Sequence, residues 1–124
     1  MCKMACRICV KRVYEPADPA DGRRVLVDRL WPRGLTKEAL RADEWLKELA
    51  PTAELRRWYG HRPERYAAFA QAYRVQLEQS PQAARLAALC AAQPQGCLTL
   101  LCAARDPVHC NAGVLCGWLQ EKLG

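Results

Sequence analysis

Apolar positions along the chain repeat with two periods, and each period predicts a different element. Residues 6–13 (Cys-Arg-Ile-Cys-Val-Lys-Arg-Val) read as a short strand. Residues 24–30 (Arg-Val-Leu-Val-Asp-Arg-Leu) have a continuous β-branched and apolar centre, as strands covered on both faces do. Residues 97–103 (Cys-Leu-Thr-Leu-Leu-Cys-Ala) are a third run of the same kind. Between the first two lies a turn-rich loop with Pro16, Pro19 and Gly22, and Trp31-Pro32-Arg33-Gly34 stops the second.

Helical spacing takes over after Gly34. Thr36 can cap a short helix that continues into residues 43–49, and Thr52 can cap the next, which Gly60 ends. Pro63 suits the first position of another helix, in which Tyr66, Phe69, Ala70, Tyr73 and Leu77 form one core-facing stripe. Such a stripe is expected of core packing, and no cofactor is predicted from it. Ser80-Pro81 opens a helix reaching about residue 93. Asp106-Pro107 reads as the cap and first turn of a last helix that buries Ala112, Leu115, Cys116, Leu119 and Leu123. The reading is α/β: one small domain over residues 1–124, about three mostly parallel strands and about five flanking helices. A long helical crossover precedes the last strand, which allows it to run parallel.

Composition narrows the functional classes. The chain has 124 residues, enough for one proper core, with ordinary apolar and charged fractions. Eight cysteines invite a disulfide framework. That reading fails because residues 1–12 carry no apolar signal core, and because Cys90, Cys97, Cys102 and Cys116 sit inside apolar patterns where a thiol acts as a small hydrophobe. No apolar run approaches the ~20 residues of a membrane span. A cytoplasmic, reduced protein without a membrane partner is therefore expected. Net charge is +6, with 14 Arg and 5 Lys spread along the chain. This permits an anionic partner, whereas a nucleic-acid-binding domain usually gathers its charge on one face.

Three segments together resemble one family. They are Lys11-Arg-Val-Tyr-Glu-Pro-Ala17, Arg24-Val-Leu-Val-Asp-Arg-Leu-Trp-Pro-Arg-Gly34, and the stretch with Glu44-Trp-Leu-Lys47, Ala50-Pro51, Glu54-Leu-Arg56, Trp58 and His61. With Asp106, His109 and Asn111 near the end, the chain is similar over nearly its whole length to the bacterial YeaO-like family (domain of unknown function 488). The resemblance implies a compact α/β fold and carries no activity with it. Cys2, Cys6, Cys9, Arg62 and Cys110 depart from the family pattern.

Ligands of open α/β sheets bind outside the carboxyl ends of the strands. Those ends here carry Asp28, Arg29, Trp31 and Arg33 after the second strand, and Arg105, Asp106, His109 and Cys110 after the third. If the two strands are parallel neighbours, these groups share a crevice, and the last helix aims N–H groups near residues 108–110 into it. Arg29, Arg33 and Arg105 would grip a phosphate or carboxylate, with Trp31 as a wall, Asp106 beside them and His61 swinging in after Gly60. Asp28 and His109 would do acid–base work. The structural alternative makes Asp28–Arg29 an ion pair, Asp106 only a cap and Trp31 a core plug.

Cysteine chemistry is weaker. Cys110, in a helix first turn, is a candidate nucleophile. The arginine of oxyanion-cradling phosphatase loops is missing, however, since its positions hold Val108 and Cys116. Cys2, Cys6 and Cys9 match the spacing of cluster-binding radical enzymes, but those need a large barrel, and no metal is expected. A small anionic ligand, bound by a binding domain or an enzyme, is the leading expectation. The alternative is a nucleic-acid-associated or regulatory module built on Arg56, Arg57, Trp58, Tyr59, His61, Arg62 and Arg65.

Overall fold

The computed structural model describes residues 6–92, 96–106 and 109–123. Its sheet has four parallel strands: β1 (Arg7–Arg12), β2 (Arg23–Leu26), β3 (Glu44–Trp45) and β4 (Cys97–Cys102), in the order β1-β4-β2-β3. The helices are α1 (Lys37–Leu40), α2 (Ala53–Tyr59), α3 (Tyr66–Glu78), α4 (Pro81–Ala91) and α5 (Asn111–Leu123). The α/β class, the parallel β2–β4 pairing and the five α-helices among the described residues agree with the sequence reading.

Three details correct it. There are four strands among the described residues, not three. The fourth is the two-residue β3, where a helix over residues 43–49 was expected; only a short 3-10 turn at Lys47–Leu49 forms there. Glu44 and Trp45 pair with Val25 and Leu26 of β2, so tertiary pairing overrode local propensity. β2 ends at Leu26, four residues earlier than read, which releases residues 27–36 to form a loop over the sheet's carboxyl end. The last helix starts at Asn111, because Asp106 caps only a local turn through the His109 N–H at 3.3 Å.

Caps read from the sequence behave as expected. The hydroxyls of Thr36, Thr52 and Ser80 accept from the N–H groups of Ala39, Leu55 and Ala83, each worth ~1 kcal/mol. Gly60 ends α2 in the left-handed conformation. Gly22 precedes β2 with φ +64°, and a Cβ there would lie 2.3 Å from the Cys97 carbonyl oxygen, so only glycine fits.

β2 and β4 are covered on both faces, which explains their unbroken apolar runs. Val25, Val27, Leu98, Leu100 and Cys102 face the larger core under α3, α4 and α5, with Phe69, Tyr73, Leu86, Leu115 and Trp118. Leu26 and Leu101 face the other way, against Val13 and Leu40. That second face also buries an ion pair: Arg24 reaches Asp21 at 2.5 Å and the Leu40 carbonyl at 2.8 Å, while Lys11 meets Asp21 at 3.1 Å. No helix among the described residues is long and apolar enough to cross a membrane.

Candidate functional site

The carboxyl ends of β2 and β4 converge. Asp28 follows β2, and its Oδ2 accepts the Ala103 N–H, just beyond β4, at 2.8 Å. Asn111, the first residue of α5, donates from Nδ2 to the Val27 carbonyl at 3.2 Å and to Asp28 Oδ1 at 3.4 Å. Two strand ends and a helix start are thereby tied at one carboxylate. Burial pushes the Asp28 carboxyl above its ordinary range, opposed by these two hydrogen bonds and by the charge of Arg56. The Asp28–Arg29 ion pair of the structural alternative does not form among the described contacts.

A cavity of about 650 Å³ opens above this junction. It is lined by Asp28, Arg29, Trp31, Arg33, His61 and Cys110 of the expected set, together with Tyr14, Arg56, Arg57, Tyr59 and Asn111. The size suits a small molecule. The 28–35 loop that carries Arg29 and Arg33 is fastened by three aromatic side chains. Trp45 Nε1 donates to the Asp28 carbonyl at 2.8 Å, Trp31 Nε1 to Leu35 O at 2.6 Å, and the Tyr14 hydroxyl to Arg33 O at 3.2 Å. Trp31 also meets Trp45 edge to face at 5.5 Å. Trp31 thus both fixes the loop and faces the cavity.

Arg105, Asp106 and His109 line a neighbouring cavity of about 420 Å³ that shares Tyr59, His61 and Ala104 with the first. There His109 Nδ1 lies 2.7 Å from Asp106 Oδ2, and Tyr66 packs edge-on against the imidazole. Tyr59 stands between the two cavities, stacked on Phe69 at 4.3 Å, with its hydroxyl donating to the His109 carbonyl at 2.8 Å. The nine expected residues therefore divide into a group of six and a group of three that meet at His61. His61 has φ +56°, an uncommon conformation for a residue with a side chain.

The N-terminus of α5 does not offer its donors to the cavity in the way the sequence suggested; residue 108 lies outside the described residues. The His109 N–H goes to Asp106. The Gly113 and Ala112 N–H groups go to the sulfur of Cys110, which takes the N-cap position. The Cys102 thiol, 3.7 Å away, is the largest influence holding Cys110 below the usual thiol range, and these two N–H groups add to it. Burial and the Asp28 charge oppose them.

Charge at the first cavity comes from arginines. Among the described residues, Arg29, Arg33, Arg56 and Arg57 have no carboxylate partner within ion-pair distance. Arg56 and Arg57 were missed as cavity residues because their helix reads as a solvated face. Their signal was the basic doublet itself, in the last turn of α2. No group of three or more His, Cys, Asp or Glu among the described residues is placed to hold a metal ion. Cys2 lies outside the described residues.

Residues 7–124 match the family described as the inactive DUF488-N3 subclade. The uncharacterised protein YeaO of Escherichia coli K12 is 46% identical over 112 residues, covering 90% of this chain and 95% of the relative. The uncharacterised protein Rv3073c of Mycobacterium tuberculosis H37Rv is 44% identical over 116 residues, covering 94% and 96%. No solved structure matches. The chain belongs to the YeaO-like DUF488 family of uncharacterised bacterial proteins.

Proposed function

We propose that the chain binds a small anionic molecule, carrying a phosphate or carboxylate, in the cavity above β2 and β4. One observation carries this reading: four arginines without carboxylate partners border a single small-molecule-sized cavity whose loop is held in place. Guanidinium forks match such anions in bidentate geometry. Trp31, Tyr14 and Tyr59 supply apolar wall for the rest of the ligand. The family's description as inactive favours capture over turnover. In that case Asp28 serves as the strut at the sheet end with no proton to move, and the arginines, not Asp28, set the sign of the ligand's charge.

Nucleic-acid binding by the Arg-rich segment has less support. The exposed Trp58, the best stacking platform in that segment, already carries the Arg65 guanidinium 5.1 Å over its ring.

The test is a thermal-shift screen in reducing buffer at low and moderate salt. Phosphate, sugar phosphates, nucleotides, carboxylic acids and short nucleic acids would be compared. A ligand at 100 times its Kd adds ~2.7 kcal/mol of stability. A shift with one small-anion class that persists at moderate salt supports the proposal. A shift with nucleic acid alone that vanishes with salt, or none at all, contradicts it.

A further inference from the structure

The sulfur atoms of Cys102 and Cys110 lie 3.7 Å apart, one at the end of β4 and the other at the N-cap of α5. Both residues are buried, yet Cys110 also lines the first cavity, so a small solute has a way in. The two sulfurs are not equivalent. Cys110 receives the Ala112 and Gly113 N–H groups, against the single Ala104 N–H at Cys102. Helix N–H groups stabilise a thiolate. The Asp28 carboxylate opposes that charge on both sulfurs.

We propose that Cys102 and Cys110 form a reversible dithiol–disulfide pair, oxidised by small hydroperoxides that enter through the cavity, with Cys110 as the attacking sulfur and Cys102 as the resolving one. In the first step Cys110 sulfur attacks the peroxide and the O–O bond breaks. The thiol S–H becomes S–OH, and the peroxide leaves as an alcohol, or as water from hydrogen peroxide. In the second step Cys102 sulfur attacks Cys110 sulfur, the S–O bond breaks, and the Cys102 proton leaves with the hydroxyl as water. The two thiols lose two electrons, and the O–O bond gains them. An external thiol reverses the reaction by exchange. Closing the bond from 3.7 Å to a disulfide's ~2.05 Å needs only a small approach of the two side chains.

The other cysteine pairs are internal controls. Cys9 and Cys97 interact and are only half-buried, while Cys6 and Cys90 interact within the core. Plain accessibility would oxidise Cys9 and Cys97 first. Neither control pair caps a helix, and none of its members lines the cavity.

The experiment treats the reduced native protein with less than one equivalent of hydrogen peroxide, blocks remaining thiols by alkylation, and maps the peptides by mass spectrometry. The expected first product is a Cys102–Cys110 disulfide that dithiothreitol removes. In Cys102→Ser, dimedone should trap a sulfenic acid at Cys110, and in Cys110→Ser, Cys102 should stay unmodified. A first disulfide at Cys9–Cys97 or Cys6–Cys90, or no loss of the Cys110 thiol while other cysteines oxidise, overturns the proposal. The native map requires no variant to fold, and its outcome is independent of whether an anion binds.

Discussion

Ala103 donates its backbone N–H to the carboxylate of Asp28 at 2.8 Å, joining the residues that follow β4 and β2. This bond holds the floor of the cavity and favours the ionised form of a carboxyl that shares the cavity with Arg29, Arg33, Arg56 and Arg57. The two roles separate by substitution. Asp28→Ala leaves the Ala103 N–H without its acceptor and should cost ~1–3 kcal/mol in denaturant unfolding. Asp28→Asn keeps an acceptor and removes the charge, so it should tighten binding of an anionic ligand roughly three- to tenfold by calorimetry. Weaker binding in Asp28→Asn would assign Asp28 a direct, attractive role toward the ligand.

Asp21 and Asp28 should bend the pH dependence of stability in opposite senses. Burial alone would raise the Asp21 carboxyl. The Asp18 N–H and the side chains of Lys11 and Arg24 outweigh it and hold the group below its ordinary value of 3.8. Its contribution is therefore present above that value and is lost as pH falls through the lower folded-state pKa. Asp28 is raised above 3.8, so its contribution is present below that value and is lost as pH rises through the higher folded-state pKa. Urea unfolding across the acid range should show Asp21→Asn losing the first dependence and Asp28→Asn the second. At neutral pH, Asp21→Asn should also cost ~3–5 kcal/mol, because Arg24, only 5% exposed, loses its charged partner.

His61 is held at φ +56° where the two cavities meet. Glycine adopts this conformation without strain, whereas an L side chain there costs ~1–2 kcal/mol. His61→Gly should therefore raise the melting temperature, or leave it unchanged once glycine's unfolded-state entropy is counted, while weakening ligand binding. A drop in melting temperature with unaltered binding would make His61 a packing residue.

Much of the fold was legible because its signals are local. Thr36, Thr52 and Ser80 cap helices in any context, and the runs around Val25 and Leu100 are too continuously apolar for a half-exposed strand. Glu44-Trp45 gave no sign of β3, because a two-residue strand has no period and exists only through its pairing with Val25 and Leu26. The site was half legible. Asp28, Arg29, Trp31 and Arg33 sit just past a parallel strand that is visible in the sequence, although the stretch that reads as strand continues to Leu30 and hides the true end at Leu26. That Arg56 and Arg57 border the same cavity depends on how α2 docks, which no local pattern encodes. The pairing of Cys102 with Cys110 was hidden for the same reason, since it needs both the end of β4 and the true start of α5.

The most direct measurement is a calorimetric titration of the best small-anion ligand into the wild type, Arg33→Ala, Arg56→Ala and Arg65→Ala. Losing a charged hydrogen-bond pair costs ~1.5–3 kcal/mol, so the first two variants should bind roughly 10- to 100-fold more weakly. Arg65, which stacks on Trp58 and is not among the cavity residues, should leave affinity unchanged. Equal losses in all three variants that disappear at moderate salt would point to diffuse surface charge and contradict a built anion site.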